Sequence, residues 1–282
     1  MVKIAVIGIC GNSIFLPVEH FHRPGETLAA TACFEEVGGK GINQAIAAAR
    51  MGAQVRFLGA VGDDDSGRSC ARQLESTGVQ ATLAVRPGQK STFAFILTDQ
   101  NGENRVTVYR GAQLEEADVE GFADAIGESD VLLLQNEVPQ CVNEAAAAIA
   151  KRHGVRVILN PAPSRPISLK LAGLVDVVTP NEQEAAAIAG MQFPLCITTL
   201  GEKGCRIDRT ATVPAACVKA VDTTGAGDTF SGVLAVKLAE GKKAEEACRW
   251  AVAASGLSVT KRGVLAAIPY KAEIERMMGY GK

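Results

Sequence analysis

Asp228 is the residue whose setting most clearly suggests chemistry. It follows a glycine-rich turn, Gly225-Ala226-Gly227, and opens an apolar stretch typical of a helix. An aspartate at a helix start is usually a capping residue. Alternatively, the small residues present bare backbone amides that, with the helix dipole, favour an anion. Asp228 would then take a proton from an alcohol while Gly225, Ala226 and Gly227 form an anion hole for a phosphoryl group in transfer.

A second glycine-rich turn begins at Glu36 and reads EVGGKGINQAIAAA. Gly39, Lys40 and Gly41 with Asn43 at a helix start could form an ordinary turn with a capping residue. Glycines also let a polyhydroxylated ligand approach the backbone, and an asparagine offers hydroxyl groups both a donor and an acceptor. This turn is therefore a candidate substrate site.

Two more polar turns follow predicted strands. In PNEQE, Asn181 and Glu184 stand one helical turn apart. They indicate either a capping box or a site where Glu184 holds magnesium through water and Asn181 contacts phosphate oxygens. TLGEKG is either a hairpin turn or a loop that passes close under a nucleotide. Its residues are Thr199, Leu200, Gly201, Glu202, Lys203 and Gly204.

The hydrophobic pattern predicts the scaffold that must position these turns. Short apolar runs alternate with helical segments, which is typical of an α/β fold with a mainly parallel sheet and helices on both faces. The runs are residues 3–8, 54–62, 131–135, 155–160, 175–180 and 195–201. Residues 12–36 and 91–110 break the alternation and predict a small β-sheet that serves as a lid. Two consecutive helices are expected between Thr224 and Thr260.

Composition excludes several classes of protein. With 282 residues and 47% apolar content, the chain is expected to form a single domain, 1–282. A net charge of −2 with scattered basic residues argues against nucleic-acid or membrane partners. We expect a cytoplasmic protein, because signal-peptide and transmembrane patterns are absent and eight cysteines occur without a CxxC pair. The start AVIGICGNS lacks the full dinucleotide-binding fingerprint, and GGKG lacks the spacing of a Walker A loop.

Five motifs, in order, resemble those of the ribokinase-like (PfkB) carbohydrate kinases, most of all the members that phosphorylate ribose. They are GGKGINQA, NPAPS at 160–164, PNEQE, TLGEKG and VDTTGAGDTF. The resemblance covers essentially the whole chain and implies a three-layer α/β/α body with a β-sheet lid. It further implies transfer of the γ-phosphoryl group of ATP to a primary hydroxyl of a small carbohydrate, with ribose or a related sugar as the acceptor. Mg²⁺, K⁺ and a homodimer formed through the lid are also implied.

By position, the resemblance assigns Asp228 as the base and Gly225, Ala226 and Gly227 as the anion hole. The implied sugar-contacting positions are Gly11, Ser13, Gly39, Lys40, Gly41, Asn43, Ala94, Ile96, Arg110, Glu137 and Asp228. The implied nucleotide-contacting positions are Asn181, Gly227 and the run from Thr199 to Gly204, with Glu184 near magnesium through water. The implied monovalent-cation positions are Asp222, Thr224, Ser258, Lys261 and Gly263.

The chain departs from the family pattern where the sugar is expected. Gly11 and Ser13 replace the asparagine and aspartate that hold ribose, so a charge-assisted contact is lost. Arg110 follows Tyr109 as in kinases of 2-keto-3-deoxygluconate, which makes a kinase for an acidic sugar an alternative, although an exposed lid arginine is equally compatible. Ala267 stands where the last cation-site serine is expected. A nucleoside kinase and a non-catalytic sugar or nucleotide sensor also remain alternatives.

Overall fold

The computed structural model describes residues 1–208 and 211–280. Its strands are β1 (Lys3–Ile7), β2 (Gly11–Pro17), β3 (Phe34–Gly38), β4 (Gln54–Gly62), β5 (Gln80–Arg86), β6 (Phe93–Thr98), β7 (Asn104–Tyr109), β8 (Val131–Gln135), β9 (Arg156–Asn160), β10 (Val177–Val178), β11 (Leu195–Thr199), β12 (Cys205–Ile207) and β13 (Ala211–Val213). Its helices are α1 (Lys40–Arg50), α2 (Asp65–Ser76), α3 (Glu116–Glu120), α4 (Ala123–Gly127), α5 (Gln140–Arg152), α6 (Leu169–Ala172), α7 (Glu182–Ala187), α8 (Ala226–Ala239), α9 (Ala244–Ser258) and α10 (Lys271–Met277).

Within the described residues, the main sheet has nine strands in the order β13-β12-β11-β10-β9-β8-β1-β4-β5. The strands from β11 to β5 are all parallel, and β12 and β13 extend the sheet antiparallel. Its centre is made of the near-continuous apolar runs expected of strands covered on both faces; every residue of β8 is buried. The predicted mainly parallel sheet is confirmed.

Helices cover both faces of this sheet and complete three layers. One buried apolar cluster joins the sheet to α1, α2, α8, α9 and α10, and a second joins the opposite face to α3, α4, α5, α6 and Ile188 at the end of α7. Helices α1 and α8 pack very closely, because a Cβ atom on Gly232 would lie 2.6 Å from the Gln44 carbonyl oxygen and 2.7 Å from the Ala47 Cβ. A glycine at 232 therefore sets the distance between the two helices that carry Asn43 and Asp228.

The two segments predicted to leave the alternation form a separate small sheet in the order β3-β2-β6-β7. Strands β2 and β6 pair in parallel and place Ser13 opposite Ala94, while β3 and β7 flank them antiparallel. Phe15 and Ile96 on one face of the small sheet pack against Val264 of the body. No helix within residues 1–208 and 211–280 is both long and apolar enough to cross a bilayer.

Candidate active site

The N-terminus of α8 is open, and Asp228 does not cap it. Gly225 precedes the helix in the left-handed conformation with φ 75°, where a Cβ would lie 2.5 Å from Cγ1 of Val264. Among the described residues, no side chain accepts a hydrogen bond from the first amides of α8. The Ala226 amide donates to the Thr223 carbonyl at 3.3 Å, whereas the amides of Gly225 and Gly227 have no acceptor among the described residues and remain available to an anion.

The Asp228 side chain points instead towards α1, where two amides hold its carboxylate. Asn43 Nδ2 donates to Oδ2 at 2.9 Å, and Gln44 Nε2 donates to Oδ1 at 3.0 Å. Asp228 is only 5% exposed, so both bonds lie in a largely dry environment. Asn43 Oδ1 is buried with no hydrogen-bond partner in the described part of the chain. A buried acceptor of this kind, beside a carboxylate, suits a ligand hydroxyl.

Glu137 and Lys40 complete a charged cluster around Asp228. The Lys40 backbone amide donates to Glu137 Oε2 at 2.7 Å. Burial, with a further contribution from the Asp228 charge, raises the pKa of Glu137 to about 7, although Lys40 opposes the shift. The nearby Asp228 carboxylate raises the pKa of Lys40, which therefore stays a cation. The predicted sugar positions Lys40, Asn43 and Glu137 thus lie together at the predicted base.

Glu137 makes the stability of the ligand-free protein depend on pH. Because the folded-state pKa exceeds the usual 4.5, the folded protein keeps this proton up to about pH 7 and the unfolded chain releases it earlier. Glu137 therefore causes the free energy of unfolding to fall as pH rises from about 4.5 to about 7. Above about pH 7 this loss stays constant. We expect the free energy of unfolding of Glu137→Gln, measured relative to that of the parent protein, to increase by up to about 3 kcal/mol as pH rises through this interval. Urea unfolding at pH 5 and pH 8 measures this change; an equal difference at both pH values would contradict it.

Asn181 and Glu184 form the capping box that the sequence offered as one alternative. The Glu184 amide donates to Asn181 Oδ1 at 2.8 Å, and the Asn181 amide donates to Glu184 Oε2 at 2.9 Å. Glu184 is 8% exposed, and its pKa is raised mainly by burial. Its charge interacts with those of Lys40 and Asp228. The Glu184 carboxylate therefore caps α7 and also lies at the edge of the charged cluster.

TLGEKG forms the hairpin turn between β11 and β12, with a short 3-10 turn at Gly201–Lys203. Thr199 pairs with Asn181 in a parallel bridge, and its amide donates to the Pro180 carbonyl at 2.8 Å. The two predicted nucleotide segments are thereby joined. Gly201, Glu202 and Lys203 in this turn are exposed to solvent.

Asp222 ties together the two loops predicted to hold a monovalent cation. Its Oδ1 accepts bonds from the amide and the hydroxyl of Thr224 at 3.0 and 2.7 Å, and its Oδ2 accepts one from the Gly263 amide at 3.1 Å. Two other predicted positions turn away: Ser258 Oγ donates to the Ser255 carbonyl, and Lys261 Nζ binds Glu273 on α10. Because an ammonium group cannot bind a cation, only the backbone of Lys261 could serve one.

The small sheet presents its predicted sugar positions on one face. Ser13, Ala94 and Val108 are neighbours on one face across three strands, and Arg110 lies just beyond the end of β7. A Cβ on Gly38 would lie 2.6 Å from Ser13 Oγ, so Ser13 lies over the start of the GGKG turn. At Gly11 a Cβ would lie 2.2 Å from the Thr92 carbonyl oxygen, so this backbone excludes any side chain there.

Two residues that sequence reasoning missed also belong to the cluster. Gln44 is fully buried and binds Asp228, although its place in the GGKGINQA motif predicts no role for it. Arg165 donates to the Val138 carbonyl, next to Glu137, and burial, with a further contribution from the charge of Arg110, lowers the pKa of Arg165. A long polar side chain among the alanines and isoleucines of α1 is the signal that could have identified Gln44.

Comparison with known proteins agrees with this geometry. Residues 1–271 match the pfkB family of carbohydrate kinases, and the chain belongs to that family. It is 37% identical to the ribokinase of Haemophilus influenzae, with 96% of each chain covered. The ribokinase of Thermotoga maritima superposes with a TM-score of 0.89 at 34% identity, covering 99% of this chain and 100% of that one. Arabidopsis thaliana ribokinase complexed with ribose and ATP superposes with a TM-score of 0.84 at 28% identity, covering 99% of both.

These matches define the class of the protein. The fold is the ribokinase-like three-layer α/β/α arrangement with a second small sheet. As a member of this family the protein is a phosphotransferase that acts on a sugar hydroxyl.

Proposed function

We propose that this protein is an ATP-dependent kinase that phosphorylates the primary hydroxyl of ribose or a closely related small sugar. The observation that carries the proposal is the buried Asp228 carboxylate, held by two amides beside the open N-terminus of α8 and the unpaired Asn43 Oδ1. Full-length similarity to ribokinases supports ribose as the first acceptor to test.

In the proposed reaction, Asp228 accepts the proton of the sugar hydroxyl while the hydroxyl oxygen attacks the γ-phosphorus of ATP. The bond between the γ-phosphorus and the oxygen bridging to the β-phosphate breaks, and ADP leaves. Asn43 and Glu137 hold neighbouring hydroxyls and orient the acceptor. The amides at Gly225, Ala226 and Gly227 stabilise the negative charge on the phosphoryl oxygens in transfer. Asp228 does not compete with the phosphate for these amides, because its side chain lies on the α1 side of the helix start.

The small sheet is proposed to act as a lid on a single kinase domain spanning 1–282. Its closure over the sugar would exclude water from the transfer. Apolar side chains of this sheet are exposed, including Val106 at 57%, Val108 at 50% and Phe34 at 48%. This exposure supports a homodimer in which a second copy covers the lid. The use of ATP and the eight free thiols support a cytoplasmic location.

Magnesium is proposed to enter with ATP beside Glu184. Mg²⁺ keeps several waters and needs only one or two carboxylates besides the phosphates, so one buried carboxylate at the edge of the site fits it. Bound there, the ion would neutralise charge on the ATP phosphates. A monovalent cation is proposed at the carbonyl groups of the loops joined by Asp222, because the Asp222 oxygens already accept protein donors.

Glu184→Gln tests the magnesium proposal without breaking the helix cap. Glutamine can complete the same capping box, so the fold should survive while the charge is lost. We expect the Mg²⁺ concentration for half-maximal activity to rise about tenfold or more. The control is Glu182→Gln, which changes an exposed neighbour in the same turn. Equal Mg²⁺ dependence of the two variants would contradict the role of Glu184.

A kinase for an acidic sugar is the second candidate, and Arg110 favours it. Arg110 and Arg165 lie close enough for their charges to interact, near Glu137. Two guanidinium groups at one end of a sugar site could bind a carboxylate or phosphate of the substrate. A nucleoside acceptor has no comparable observation in its favour.

ADP release with aldopentoses, ketohexoses, sugar acids and nucleosides decides between the candidates. If the acceptor is acidic, Arg110→Ala should raise its KM at least tenfold, since a charged hydrogen bond is lost. Arg105→Ala is the matched control, because that arginine lies over the Phe21 ring at 4.2 Å. If ribose is the acceptor, neither variant should change its KM more than about threefold. Ligand binding without ADP release would indicate a sensor and refute the kinase proposal.

A further inference from the structure

Gln44 is fully buried, and its side-chain amide is bonded on all sides. Its Nε2 donates to Asp228 Oδ1 at 3.0 Å and to Asn160 Oδ1 at 3.2 Å, and its Oε1 accepts from Gln135 Nε2 at 2.8 Å. Gln135 is also fully buried, and Asn160 is 6% exposed. We call Gln44, Gln135 and Asn160 the amide chain.

Within the amide chain, the amides of Gln44 and Asn160 have only one orientation that satisfies their hydrogen bonds. Asn160 Nδ2 donates to the Thr179 backbone carbonyl at 2.8 Å, and a carbonyl can only accept. The Asn160 oxygen must therefore face Gln44, so Gln44 must turn its NH₂ group towards Asn160 and Asp228. Rotating the Gln44 amide by half a turn would set its oxygen against two acceptors in a dry core, where unmade bonds are costly.

We propose that Gln44 is a positioning residue that fixes the Asp228 carboxylate for proton transfer. Gln44 holds Oδ1 from the buried side, which leaves Oδ2, shared with the less buried Asn43, to face the acceptor hydroxyl. Through the side chains of Asn160 and Gln44, the Thr179 carbonyl thereby fixes the rotamer of Asp228. This inference rests on the proposed role of Asp228 as the base.

A double-mutant cycle tests whether Gln44 acts through Asp228. Gln44→Met keeps the length of the side chain and removes its donors. In the parent protein we expect kcat to fall 10- to 100-fold while KM for ATP changes less than threefold, because a small misplacement of a catalytic group has effects of this size. In the Asp228→Asn background the same substitution should change kcat less than threefold, since residues that act as a unit are not additive.

The control is Ser231→Ala, on α8 one turn beyond Asp228. Ser231 is 1% exposed, and its hydroxyl pairs with Thr179 Oγ1 at 3.2 Å, so the change removes a buried bond without touching the carboxylate. Its effect on kcat should be less than threefold in both backgrounds. If Gln44→Met does not show a cooperative unfolding transition, Asn160→Ala is used in the cycle instead, because it removes the acceptor through which the Thr179 carbonyl fixes the orientation of the Gln44 amide.

Three results would overturn the inference. The first is no loss of kcat in Gln44→Met, and the second is a loss of kcat by the same factor in the parent and Asp228→Asn backgrounds. The third is an effect of Ser231→Ala on kcat that differs between the two backgrounds as much as that of Gln44→Met. These differ from a failure of the proposed function, in which Asp228→Asn alone would retain more than about a tenth of the kcat of the parent protein.

Discussion

Asp228→Asn is expected to lower kcat by a factor of 10² to 10⁴ while the sugar and nucleotide still bind. General base catalysis usually contributes that factor, and asparagine keeps the size of the side chain but cannot accept the proton. The carboxylate is 5% exposed and sits between Asn43 and Gln44, so water cannot easily replace it as the base.

The measurement for Asp228→Asn combines kcat from ADP release with calorimetric binding of sugar and of a non-hydrolysable ATP analogue. Asp124→Asn, on α4 away from the charged cluster, is the control and should match the parent protein. Retention of more than about a tenth of kcat by Asp228→Asn would show that Asp228 is not the base.

Gly227→Pro is expected to reduce kcat by about 10²–10³-fold. Proline deletes the amide proton at 227, and the loss of one donor from an anion hole has effects of this size. The first turn of a helix tolerates proline because its amides have no partner within the helix. Thermal unfolding of the variant should therefore remain cooperative.

Gly227→Ala is the matched control for the proline variant. A Cβ at 227 would meet nothing within 4 Å, and alanine keeps the amide proton. We expect its loss of kcat to be less than tenfold. If the alanine and proline variants lose kcat equally, the amide of Gly227 does not stabilise the transferred group.

The alternation of strands and helices was predictable because buried parallel strands are apolar throughout, as in β8. The strand predicted at 175–180 is shorter in the structure and spans only Val177–Val178. Pro180 has no amide proton for a strand hydrogen bond, and the Asp176 carboxylate accepts a hydrogen bond from the Val157 amide. Edge strand β5 was not predicted, because four of its seven residues are exposed and it lacks an apolar run.

The candidate site shows where local patterns stop being informative. The capping box at Asn181 and Glu184 is a contact between residues three apart, so the sequence could offer it as an alternative. The contact between Asp228 and Gln44 joins residues 184 positions apart and depends on how closely α1 approaches α8. A helix cap was one alternative for Asp228, but Gly225 is the N-cap residue of α8 and the Asp228 side chain reaches α1.

Direct detection of the sugar phosphate tests the central proposal most simply. ATP, Mg²⁺ and ribose are incubated with the parent protein and with Asp228→Asn, and the product is identified by mass spectrometry and ³¹P NMR. We expect the parent protein to form a monophosphate ester at the primary carbon with a kcat of about 1–100 s⁻¹, and the variant to form it at least 100-fold more slowly. Absence of any phosphorylated product from ribose and from the wider panel of sugars, sugar acids and nucleosides would contradict the proposed function.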